Sequence, residues 1–244
     1  IETFDYKATT FAKPAIRTAK PKVLIPVFPG TNCEFDTAKV MRDAGADPEI
    51  FVIKNLSAKA IAESVEAFAE KVKQSQIIFV PGGFSGGDEP DGSGKFITAF
   101  FRNAEVKDAV TELLEKRDGL MLGICNGFQA LVKSGLLPYG KIMDTMDNDS
   151  PTLTFNAIGR HQSQMVQTRI SSVKSPWFAN VNTGDIHTVP ISHGEGRFMA
   201  SEEFIRQLEA NGQIATQYVD EKGNPTMDVV FNPNASTYAI EGIT

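Results

Sequence analysis

Cysteine and histidine are scarce in this chain: two cysteines, Cys33 and Cys125, and three histidines, His161, His187 and His193, among 244 residues. Two cysteines so far apart cannot form a disulfide framework, so a reducing, cytoplasmic setting is the simplest reading. The histidines and cysteines do not cluster at the close spacing of a zinc site, and no metal is expected. An excess of positive charge is missing too. The net charge is −6, and no Lys/Arg cluster offers the concentrated basic surface that phosphate backbones require, which excludes a nucleic-acid partner. No apolar run approaches the ~18 residues of a membrane span, and no basic-then-apolar leader opens the chain. A membrane partner is therefore not expected.

What is present is a soluble-protein balance, 41% hydrophobic and 22% charged, enough to bury a core. Residues 1–21, rich in Lys, Thr, Ala and Pro, read as a connector from an upstream domain. The chain opens at Ile1 without a Met and stops at Thr244 just after a strand-like run. Residues 22–244 are thus expected to be one domain, shortened at its C-terminal end. Strand-type runs over 22–28, 49–53, 76–80 and 120–124 alternate with helical spacing over 35–44, 57–72 (capped by Ser57), 96–101, 106–116 and 127–133. This rhythm predicts an α/β fold of flavodoxin-like type, a doubly wound, largely parallel sheet with helices on both faces. The wholly apolar run from Leu120 to Ile124 predicts a central strand buried on both faces. Residues 84–95, rich in Gly, Asp and Ser, predict a loop lining a surface cleft. Beyond residue 150, short runs over 153–158, 165–170, 185–191, 197–200, 213–219 and 237–240, with a helix over 201–211, predict added antiparallel strands.

The most informative segment is Gly123-Ile124-Cys125-Asn126-Gly127-Phe128-Gln129. A strand runs straight into a helix with Cys125 at the corner, an arrangement that lifts a nucleophile above the carboxyl edge of a sheet. The helix start supplies free N–H groups and partial positive charge, both of which favour thiolate. Gly123 and Gly127 remove the Cβ atoms that would crowd the bend. A free cysteine is commonly just a buried apolar residue; this setting favours catalysis. Cys33, in the turn after the first strand, has no such surroundings and reads as packing.

Gly123-x-Cys125-x-Gly127-x-Gln129 resembles the nucleophile motif of class I glutamine amidotransferases. Asn126 and Phe128 make it similar to the variant in the glutaminase part of phosphoribosylformylglycinamidine synthases, enzymes of purine synthesis. Three further segments share that resemblance: residues 28–34 (Phe-Pro-Gly-Thr-Asn-Cys-Glu), 81–88 (Pro-Gly-Gly-Phe-Ser-Gly-Gly-Asp) and 193–196 (His-Gly-Glu-Gly). The resemblance implies that glutamine is hydrolysed to glutamate and ammonia through a Cys125 thioester. It implies an oxyanion hole made by the N–H groups of Gly83 (with Phe84 as the alternative) and Asn126. Gln129, one helical turn past Cys125, would contact glutamine, or else pack the helix start by hydrogen bonding. A base and an orienting carboxylate are also needed. His193 and Glu195 have the right letters, but in the family the triad His-x-Glu follows the last strand, a position beyond Thr244. His193 and Glu195 are therefore expected to shape the cleft or a docking face, and His161 and His187 to be surface residues. No Gly-x-x-x-x-Gly-Lys-Ser/Thr motif is present. No cofactor is expected in this domain, and ATP and Mg are expected in a synthetase domain that takes the ammonia, joined in the same polypeptide. Two rival readings are a non-catalytic scaffold of the same fold and another cysteine hydrolase of intracellular peptidase type.

Overall fold

The computed structural model describes residues 1–8, 14–84 and 94–244. The chain divides into two compact units, Pro14–Met146 and Ile1–Lys13 with Asp147–Thr244.

Among its described residues the first unit has four strands and six helices: β1 (Lys22–Val27), α1 (Glu34–Asp43), β2 (Asp47–Val52), α2 (Ala58–Gln74), β3 (Ile77–Val80), α3 (Lys95–Phe101), α4 (Ala104–Glu115), β4 (Leu120–Gly123), α5 (Asn126–Lys133) and α6 (Leu136–Tyr139). The strands form one parallel sheet in the order β2-β1-β3-β4. Parallel neighbours need a crossover, and helices supply it. Ser57 caps α2 as expected, accepting the Ala60 N–H at 3.1 Å. Apolar residues from sheet and helices meet in one core that includes Leu24, Phe68, Val72, Ile78, Val80, Ile97 and Leu113. Phe68 sits at its centre, edge-on to Phe100 at 5.3 Å.

One expectation fails here. The apolar run at Leu120 to Ile124 predicted a central strand, but β4 ends the sheet order and its residues are only partly buried. The interior strands are β1 and β3. Apolar content reports the environment that side chains prefer, not how many strands flank the backbone. The chain turns back between β1 and β3, the switch point outside whose carboxyl ends open α/β sheets hold ligands.

The second unit contains β5 (Thr152–Thr154), β6 (Gln162–Ile170), β7 (Ile186–His193), β8 (Arg197–Met199), α7 (Glu202–Ala210), β9 (Ile214–Val219) and β10 (Ile240–Ile243). An antiparallel sheet runs β10-β9-β6-β7, and β5 pairs with β8. The expected strand over 237–240 begins only at Ile240, because Tyr238 and Ala239 have φ of 53° and 58°, left-handed values that a strand cannot take. The start of the expected connector packs on this unit. Phe4 is buried, its N–H donating to Gln217 Oε1 at 3.1 Å, and Tyr6 bridges Ser172.

Candidate active site

Cys125 occupies the bend between β4 and α5 with φ 54° and ψ −109°, outside the regions an L-residue prefers. A backbone held so costs about 1–3 kcal/mol and persists only where its surroundings impose it. Here they do. Ile124 N–H donates to Val80 O at 3.2 Å, tying the bend to β3, and Gly127 N–H donates to Ile124 O at 2.9 Å. The approach of α5 to the sheet leaves no room for side chains: a Cβ on Gly127 would lie 2.1 Å from Val80 O, and one on Gly123 would lie 2.6 Å from the Gly127 carbonyl carbon. Cys125 itself is half-buried, at the positive end of the α5 dipole.

Behind the bend, Asn126 is fully buried and its Nδ2 donates to Gln129 Oε1 at 3.0 Å. Gln129 is also buried. The hydrogen-bonded packing of the helix start, one of the two roles weighed for Gln129, is therefore present.

Facing the bend is the turn that leaves β3. A Cβ on Gly82 would stand 3.4 Å from Cys125 Cβ and 3.3 Å from Cys33 Sγ. Gly82 thus separates the two cysteines, a proximity that their sequence separation concealed. Gly83 is buried at φ 151°, and any side chain there would run into Gly30 O and Thr31 Cα, both at 2.6 Å. Phe84 N–H donates to Gly30 O at 2.8 Å. Of the two candidate oxyanion donors in this turn, Phe84 is thus committed to the turn opposite. Residues 85–88 of the second motif, and most of the expected loop over 84–95, lie outside the described residues.

Cys33 Sγ donates to Asn32 Oδ1 at 3.1 Å. Burial, reinforced by the Asp36 and Glu34 carboxylates, pushes its thiol pKa up, so it is disfavoured as a nucleophile.

His193 and Glu195 belong to the other unit. His193 ends β7, and Glu195 is 1% exposed. Asn156 grips this loop from three sides: its N–H donates to Gly194 O at 2.8 Å, its Nδ2 donates to His193 O at 2.8 Å, and its Oδ1 accepts Gly196 N–H at 3.0 Å. Ser236 Oγ adds a bond to Gly196 O at 3.1 Å. Among the described residues His193 Nδ1 is buried without a hydrogen-bond partner, so Glu195 does not orient the ring through that nitrogen. Burial, together with the nearby His161, lowers the imidazole pKa. His161 and His187 are exposed. Sequence reasoning did not single out Asn156 or Ser236, since lone polar residues in loops carry no spacing signal. Among the described residues, no three His, Cys, Asp or Glu side chains gather as a metal site, and no helix is long and apolar enough to cross a membrane.

Comparison with known proteins places these residues in context. The model of the CobB/CobQ-like glutamine amidotransferase domain matches residues 20–244. A phosphoribosylformylglycinamidine synthase subunit PurQ from Treponema denticola is 37% identical over 236 residues, 92% of this chain and 82% of the relative. The subunit of the same name from Methanococcus maripaludis is 34% identical over 229 residues, 91% of this chain and 76% of the relative. Among solved structures, one titled as PurLQS from Thermotoga maritima aligns with TM-score 0.63 at 22% identity, covering 92% of this chain and 81% of that one. At that identity the likeness speaks to the fold, a parallel sheet flanked by helices.

Proposed function

The chain belongs to the CobB/CobQ-like glutamine amidotransferase domain family, and from that premise we propose that it hydrolyses glutamine at Cys125 to feed ammonia to phosphoribosylformylglycinamidine synthesis. The observation that carries the reading is the strained Cys125 corner at the start of α5, with the Gly82–Gly83 turn beside it. The acceptor rests on the relatives' name, carried at 37% and 34% identity over most of both chains.

The Cys125 thiolate attacks the side-chain amide carbon of glutamine. The carbonyl oxygen takes the negative charge and is received by the N–H groups of Gly83 and Asn126. Each donor of this kind typically contributes about 3–4 kcal/mol to lowering the barrier. The C–N bond then breaks, ammonia leaves with the proton that the Cys125 thiol gave up on ionising, and a thioester remains on Cys125. Water attacks the thioester and releases glutamate. Gln129, fixed against Asn126, is assigned the contact with the bound glutamine. His193 and Glu195 are assigned to shaping their own loop rather than to proton transfer, because a base in a nucleophile triad is oriented through its second ring nitrogen and His193 Nδ1 has no such partner among the described residues. ATP and Mg act in the synthetase that consumes the ammonia. That the synthetase is joined in the same polypeptide is the part of the reading that the size of the natural gene product tests. The reducing setting read from the cysteines supports a cytoplasmic location.

Incubation of the protein with diazo-oxonorleucine, a glutamine-like electrophile, tests the reaction. Covalent label is expected on Cys125, and glutamate release is expected to fall to background in Cys125→Ala. A full natural protein that takes no label and releases no glutamate is a scaffold instead.

A further inference from the structure

We propose that Thr31 is the positioning residue of the oxyanion hole, its hydroxyl closing the turn that aims the Gly83 N–H. This rests on the glutaminase reading above and deepens it.

The turn after β1 is anchored at one end in the core. Phe28 is 4% exposed and lies edge-on to Phe100 at 5.3 Å. Pro29 and Gly30, the latter at φ 95°, occupy the two middle positions of a tight turn. Thr31 closes it twice: its N–H donates to Phe28 O at 2.9 Å, and its Oγ1 accepts the Phe28 N–H at 3.1 Å. The side chain thus satisfies a backbone donor at the very end of the strand, where the sheet ladder no longer does.

The closed turn then grips the glycine pair. Thr31 and Gly83 stand opposite each other in an antiparallel bridge. On one side of it Phe84 N–H donates to Gly30 O at 2.8 Å, and on the other Asn32 N–H donates to Gly82 O at 3.4 Å. Gly82 C=O and Gly83 N–H belong to one planar trans peptide, so they point in opposite directions. Holding the Gly82 oxygen toward Asn32 therefore turns the Gly83 N–H away from the turn, and Cys125 lies against Gly82, the other half of that peptide. The second bond is long, so the orientation of this peptide depends on how firmly the turn holds its shape. A Ser or Thr at position 31 supplies the acceptor that keeps it; a residue without the hydroxyl leaves the Phe28 N–H unpaired and the turn free to open.

The test compares Thr31→Val, which removes the hydroxyl at nearly constant shape, with Thr31→Ser, which keeps it, in the full chain assembled with its synthetase. Thr31→Val is expected to lower kcat for glutamine roughly ten- to a hundredfold with KM within about twofold, since a donor misaligned by a fraction of an ångström loses much of its effect on the transition state. Thr31→Ser should stay within about threefold of the parent on the same reasoning. Alkylation of Cys125 by iodoacetamide, followed by peptide mass, needs the thiolate but no oxyanion donor, and should keep its rate in both variants. The proposal is overturned if Thr31→Val retains the parent kcat, if Thr31→Ser loses as much as Thr31→Val, or if alkylation of Cys125 falls in step with turnover, which would mark a collapsed corner. Turnover surviving in Cys125→Ala would overturn the glutaminase reading itself, an outcome separate from all three.

Discussion

The parallel unit and the antiparallel unit each carry a segment that looks catalytic in sequence, and they hold those segments by opposite means. At the Cys125 corner the work is done by main chain. Positive φ at Cys125, glycines pressed against Val80 and Gly30, and backbone bonds between neighbouring turns fix one thiol and a glycine turn beside it. At the His193 loop it is done by side-chain amides and a hydroxyl. Asn156 and Ser236 satisfy the loop's N–H and C=O groups, and the buried Asn232 braces Ser236 by accepting its N–H at 3.0 Å. Main-chain strain aims a reactive atom; side-chain bonds to the backbone of His193 and Gly196 hold a loop in place without aiming anything.

The contrast is broken most severely at Gly83. In Gly83→Ala the new Cβ would sit 2.6 Å from Gly30 O and Thr31 Cα, at a φ that L-residues avoid. The two turns must part. Steady-state kinetics are expected to lose about 10²–10³ in kcat, the effect of one oxyanion donor. Near-parent kcat would remove Gly83 from the hole.

Asn156→Ala probes the other side. It removes the side-chain partners of the Gly196 N–H and the His193 carbonyl, at about 1–3 kcal/mol for a buried group left unsatisfied. Thermal unfolding should shift down accordingly, while alkylation of Cys125 keeps its rate, because the Asn156 side-chain bonds stay within its own unit. A parallel loss of alkylation would mean that the two segments work as one.

The smallest effect is a pH dependence at His193. Burial holds its pKa below the ordinary ~6.5. The unfolded chain therefore binds the proton more readily, and stability rises with pH across the window between the two values. This contribution is complete above ~6.5 and is lost as pH falls toward the folded-state pKa. In His193→Gln the unfolding midpoint should fall less steeply on acidification over that window. An unchanged slope would show that His193 is not the group responsible.

Much of the first unit was legible in the sequence because its signals are local. The Ser57 cap, the strand-to-helix bend at Cys125 and the small residues on either side of it each express a rule that spans only a few residues. The misplaced β4 and the late start of β10 went unread for a different reason. Strand order is a long-range pairing, and the left-handed φ of Tyr238 and Ala239 is imposed by surroundings that no neighbouring residue announces.

By itself, then, the sequence settled that a thiol stands at a tight β-to-α bend in an α/β chain, since glycine spacing and an apolar run dictate that bend locally. Only the tertiary structure decided what the thiol faces. It brought Thr31 and Cys33 against Gly82 and Gly83 from some fifty residues away, committed the Phe84 N–H to Gly30 and set Gln129 against Asn126. Those are matters of peptide-plane direction and close approach across neighbouring strands, which composition and periodicity do not encode.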